Sequence, residues 1–78
     1  MSSQYLDFVL VHDTGKTRIY SVDSRSQGSR LAIIRWYGAW RQYVLEPEPD
    51  TVWNTGCLQD VIAFIGGLME ARRFRVPA

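Results

Sequence analysis

Apolar and β-branched positions come in short bursts through the first two-thirds of the chain, then switch to a helical repeat in the last third. Tyr5 to His12 and Thr17 to Asp23 read as two strands, and Asp13-Thr14-Gly15-Lys16 between them is a tight-turn signal with a glycine available for positive φ. Its register stays open between a two-residue turn and a turn with a bulge, and a one-residue slip exchanges the two faces. In either register some of Tyr5, Phe8, Val9, Ile19, Tyr20 and Val22 lie on the side away from any covering helix. Ser24 to Arg30 is polar and contains Gly28, the signature of a loop. Leu31 to Tyr37 and Trp40 to Glu46 are rich in Ile, Val, Tyr and Trp, and Gly38-Ala39 between them predicts a second hairpin with Gly38 leading a type II′ turn. Pro47 and Pro49 are expected to end the sheet, since proline has no N–H for a ladder.

Leu58, Val61, Ile62, Ile65, Leu68 and Met69 recur at helical spacing and predict one apolar stripe, widened by Phe64. Asn54 or Thr55 can cap the first turn, Asp60 sits early, and Arg72 and Arg73 sit late, each with the sign the helix dipole favours. Gly66-Gly67 interrupts the pattern. Either the helix frays there or the missing side chains let its backbone approach the sheet, and close packing is the preferred reading. The expectation is a single α+β domain over residues 1–78: strands at about 5–12, 17–23, 31–37 and 40–46 in two hairpins, then a C-terminal helix at about 56–73 packed on one face of the antiparallel sheet.

A two-residue turn at Gly38-Ala39 sets Tyr37 opposite Trp40, Trp36 opposite Arg41, Arg35 opposite Gln42 and Ile34 opposite Tyr43. One face then carries Ala32, Ile34, Trp36, Tyr43 and Leu45, a floor for the helix. The other carries Ile33, Arg35, Tyr37, Trp40, Gln42 and Val44. One helix covers one face, so this second set, with the Tyr, Trp and Arg enriched at interfaces, is a contact surface unless the sheet curls to bury it or Tyr37 and Trp40 serve only as a cross-strand pair.

Composition narrows the choice of function. Nine Lys and Arg against eight Asp and Glu leave a net charge of +1, which argues against binding nucleic acid by bulk charge. One cysteine allows no internal disulfide, and with one histidine the usual zinc sites are excluded. No apolar run is long enough to span a bilayer and the N-terminus lacks a signal-peptide pattern, so the expected location is the cytoplasm. Cys57 and His12 fall about 45 residues apart and the glycines form no phosphate loop, so no catalytic constellation, metal site or cofactor is expected. Glu46-Pro47-Glu48-Pro49-Asp50 reads as a solvated connector, or as a stiff acidic finger for a basic partner. Arg35, Tyr37, Trp40 and Arg41 could also stack and pair with a single nucleic-acid strand, although the low net charge makes that the lesser reading.

The run Ile34-Arg35-Trp36-Tyr37-Gly38-Ala39-Trp40-Arg41-Gln42-Tyr43, with Thr51-Val52-Trp53 and Cys57-Leu58-Gln59-Asp60-Val61, resembles a family of small phage and prophage proteins. Chains of this size without catalytic machinery are similar to anti-CRISPR proteins. The resemblance implies a non-enzymatic inhibitor in the host bacterial cytoplasm that binds a defence ribonucleoprotein such as a CRISPR surveillance complex. Arg35, Tyr37, Trp40 and Gln42, or the acids Glu46, Glu48 and Asp50, would make the contact. Alternatives are a single-strand nucleic-acid-binding module and a phage accessory protein whose exposed face forms a homodimer.

Overall fold

The computed structural model describes residues 5–73 and orders them as β1 (Leu6–Asp13), β2 (Arg18–Ser24), β3 (Arg30–Tyr37), β4 (Gln42–Pro47) and α1 (Thr55–Arg73). The strands form one antiparallel meander in the order β1-β2-β3-β4, and α1 covers one face, giving the expected α+β architecture.

The first hairpin adopts the bulged alternative. Leu6 to Leu10 pair with Ser24 to Tyr20, and a bulge between Leu10 and His12 then sets His12 opposite Ile19 and Asp13 opposite Arg18. Gly15 turns the loop at φ 88°, where Asp13 Oδ1 accepts its N–H at 2.8 Å. Leu6, Phe8, Tyr20 and Val22 thereby face the helix and are buried, while Val9 and Ile19 lie on the other face.

The second hairpin departs from its predicted register by two residues. Tyr37 opposes Gln42, Trp36 opposes Tyr43, Arg35 opposes Val44 and Ile34 opposes Leu45. The loop is therefore four residues long, with Trp40 N–H donating to the Tyr37 carbonyl, Arg41 N–H to that of Gly38, and Arg41 rather than a glycine in the left-handed region at φ 54°. A slip of two preserves which face each side chain occupies. Ala32, Ile34 and Tyr43 are buried beneath the helix as expected, with Trp36 and Leu45 packed against them. Trp40, expected in a strand, projects from the turn instead. Pro47 is the last residue of β4 rather than a stop before it, opposite Ala32 on an edge where its missing N–H costs no ladder bond.

Asn54 caps α1, its Oδ1 accepting the Cys57 N–H at 2.8 Å. The buried helix residues are Cys57, Val61 and Phe64. The stripe is thus rotated from the predicted one: Leu58 and Ile62 are 46% and 70% exposed. Phe64 sets the rotation by stacking on Phe8 (centroids 4.2 Å apart, planes at 6°) and meeting Tyr20 edge-on at 4.9 Å. The helix runs unbroken through Gly66-Gly67, and a Cβ at either would meet nothing within 4 Å. Both the fraying and the close-packing readings are overturned, since the glycines point away from the sheet.

Candidate functional site: a basic, aromatic end of the sheet

Antiparallel pairing sends both hairpin tips, Thr14–Thr17 and Gly38–Arg41, to the same end of the sheet. The helix C-terminus joins them there. Arg72 Nη1 donates to the Lys16 carbonyl at 2.8 Å, and its Cζ lies 3.9 Å from the centroid of the Trp36 ring. Arg72 is a wall common to two grooves. One lies toward Gly15, Lys16, Arg18 and Tyr43; the other is lined by Trp36, Gly38, Arg41, Met69, Arg72 and Arg73.

Tyr43 braces this end from within. Its hydroxyl accepts the Arg18 N–H at 3.1 Å, its own N–H points to Met69 Sδ at 3.5 Å, and its ring meets Trp36 edge-on at 5.4 Å. On the sheet face away from the helix, Trp40 packs edge-on against Tyr37 at 5.0 Å yet remains 67% exposed. The predicted Tyr37–Trp40 contact therefore exists, made by the turn instead of a cross-strand pair.

Charge is segregated along the strands. The tips and the helix C-terminus hold Lys16, Arg18, Arg41, Arg72 and Arg73, with Asp13 and Glu70 as the nearby acids. Asp13 is engaged by Arg18 Nε at 3.2 Å, and the Arg18 guanidinium is held above its ordinary pKa by Tyr20 first and Asp13 second. The opposite end carries Asp7, Asp23, Glu48, Asp50 and Asp60 together with Arg25 and Arg30, Arg25 Nε lying 3.6 Å from Asp7 Oδ1. There Arg30 Nε donates at 3.0 Å to the buried Ser21 hydroxyl, which in turn donates to Asp23.

The seven residues singled out in the sequence do not form one cluster. Arg35, Tyr37 and Gln42 share the uncovered sheet face, with Trp40 at its tip and the Arg35 Cζ 5.5 Å from the Tyr37 centroid. Glu46 is not part of a free acidic finger. It belongs to β4, where Arg35 grips it through two parallel bonds, Nε to Oε1 at 2.6 Å and Nη2 to Oε2 at 2.9 Å. Its carboxyl is held below the usual glutamate range by that hydrogen-bonded guanidinium. Glu48 and Asp50 remain exposed at the far end, Asp50 in the left-handed region at φ 62°. The sequence reading missed Lys16, Arg18, Arg72 and Arg73. Their signal lay in the pairing of hairpin tips with a helix C-terminus, and it becomes visible only when strand directions are drawn.

His12 sits exposed beside the β1 bulge and Cys57 is buried at the start of α1. Among the described residues no three His, Cys, Asp or Glu side chains converge as metal ligands, and no helix is long and apolar enough to cross a membrane. The arrangement offers anion contacts and an exposed indole.

Over 74 residues the chain is 31% identical to the "Uncharacterized 9.3 kDa protein" of Acholeplasma phage L2, covering 92% of this chain and 94% of that one. The chain belongs to the family of that phage protein. The match spans nearly the full length of both proteins and is not confined to the aromatic hairpin. No protein-family model matches this phage-family chain, and no solved structure matches it.

Proposed function

We propose that this phage-family protein is a non-catalytic accessory protein that binds single-stranded nucleic acid through its basic, aromatic end. The observation that carries the reading is the gathering of Lys16, Arg18, Arg41, Arg72 and Arg73 at one end of the sheet, in two grooves that share Arg72, with the exposed Trp40 on the opposite face of that same end. Cations spaced along two grooves contact successive phosphates, and an indole standing clear of the surface stacks on an unpaired base of any sequence. A net charge of +1 argued against this, but a ligand responds to the local field, and these five cations face only Asp13 and Glu70 at their end, while five of the eight acids lie at the other. The test is fluorescence anisotropy with labelled single-stranded oligonucleotides at two salt concentrations. Binding that weakens steeply with salt and falls at least about tenfold in the Trp40→Ala, Arg73→Ala double variant supports the reading, at about 1–3 kcal/mol for one stacked base. No binding at low salt overturns it.

A second reading keeps the inhibitor role. Exposed Glu48 and Asp50, at the end opposite the cations, present acids to a basic surface such as the nucleic-acid channel of a CRISPR surveillance complex. A pull-down with purified effector complexes, followed by their target-DNA binding, tests it. Absence of retention together with unimpaired DNA binding removes this role.

A further inference from the structure

Among the described residues β1 is the last strand on its side of the sheet, so alternate backbone N–H and C=O groups along it face away from β2. Its middle, Val9-Leu10-Val11, is 43%, 48% and 47% exposed, and it contains no proline. The opposite edge is blunted: β4 has six residues, carries Glu46 and ends at Pro47. The bulge past Leu10 and the acids Asp7 and Asp13 blunt β1 only toward its ends, and Val9-Leu10 between them stays apolar and half exposed. We propose that a second copy of this chain pairs with it, β1 antiparallel to β1, to make one continuous sheet of eight strands.

The register follows from symmetry. A twofold axis through an antiparallel strand pair stands perpendicular to the sheet and keeps each face on its own side, so a residue at the centre meets itself. Centred on Val9, the pairing sets Val9 against the partner's Val9 and Leu10 against the partner's Phe8. Leu10 shares the helix-side face with Phe8 and Tyr20, yet α1 leaves it half exposed. Beside the partner's Phe8 it extends the apolar layer across the seam. The bulge between Leu10 and His12 adds one residue, which brings His12 instead of Val11 opposite the partner's Asp7. His12 opposes Ile19 and so lies on the same face as Val9 and Asp7, where its ring N–H can donate to the carboxylate, which within the single chain lies 3.6 Å from Arg25 Nε. The symmetry makes each of these last two contacts twice. This self-complementarity, apolar against apolar and donor against acceptor, selects a second copy as the occupant, and the surface is separate from the basic end.

Sedimentation of the full chain over a range of concentrations tests the proposal. The wild type is expected at twice its 9.0 kDa mass. Val9→Lys is expected to halve that mass with an unchanged circular-dichroism spectrum, because Val9 is half exposed in the single chain, whereas Ile62→Lys leaves the dimer intact. In a Cys57→Ala background, Val9→Cys should cross-link to itself under mild oxidation and migrate at twice the mass on a denaturing gel. A wild type sedimenting at 9.0 kDa throughout overturns the proposal. So does a dimer lost with Ile62→Lys but kept with Val9→Lys, which assigns association to the exposed Leu58–Ile62 flank of α1, or a dimer in which Val9→Cys fails to cross-link.

Discussion

The Arg72 guanidinium covers the Trp36 ring at 3.9 Å and binds the Lys16 carbonyl at 2.8 Å, so one side chain ties the end of α1 to β3 and to the first hairpin tip. Three segments distant in sequence meet at that residue.

Arg72→Ala removes a cation–π contact worth about 0.5–2 kcal/mol and a hydrogen bond worth about 0.5–1.5 kcal/mol. The expected loss is about 1–2 kcal/mol of stability, read as a lower urea midpoint with unchanged slope, together with a change in Trp36 fluorescence. A midpoint matching the wild type would show that the helix end is not held by this contact.

Phe64→Ala and Ile62→Ala test the rotation of the helix. Phe64 stacks on Phe8 and meets Tyr20 edge-on, so its truncation should cost about 3–5 kcal/mol, enough to unfold much of so small a domain. Ile62 is 70% exposed, and its truncation should stay within about 0.5 kcal/mol. Thermal unfolding of the two variants side by side distinguishes this packing from the stripe that periodicity alone predicts, in which both would be costly.

Gly66→Ala and Gly67→Ala should each stabilise the protein by about 0.5–1 kcal/mol, because an added Cβ meets nothing within 4 Å and the helix loses a residue that favours the unfolded chain. The double variant should melt several degrees higher. A lower melting temperature would mean that the glycines are buried against something.

Acid should weaken the Arg35–Glu46 link. The Glu46 carboxyl is held below the ordinary glutamate range by the Arg35 guanidinium, so the unfolded chain binds its proton at a higher pH than the folded one. The contribution is present above the usual glutamate value of about 4.3 and disappears as pH falls through the lowered folded value. In urea titrations across this range, Glu46→Gln should show a shallower acid loss than the wild type. Identical acid limbs would show that the pair contributes nothing at this exposed site.

Local chemistry determined most of the secondary structure of this chain. Short apolar, β-branched runs marked the four strands, Gly15 and the polar Ser24–Arg30 stretch marked their breaks, and Asn54 with the apolar repeat marked the helix, because each signal acts within a few residues. The face assignment of Trp36, Tyr43, Arg35 and Tyr37 also followed, since strand parity survives a two-residue error in the turn. What lay beyond the sequence depended on contacts between distant residues. Phe8, stacked on Phe64, and Tyr20, edge-on to it, chose the helix face, and the four-residue loop placed Glu46 diagonal to Arg35, within reach of its guanidinium. Net charge counts every residue equally wherever it lies. Only the antiparallel order of strands and helix, which gathers Lys16, Arg18, Arg41, Arg72 and Arg73 at one end, converts a nearly neutral composition into a basic surface, because electrostatic potential depends on the distance between charges and not on their sum.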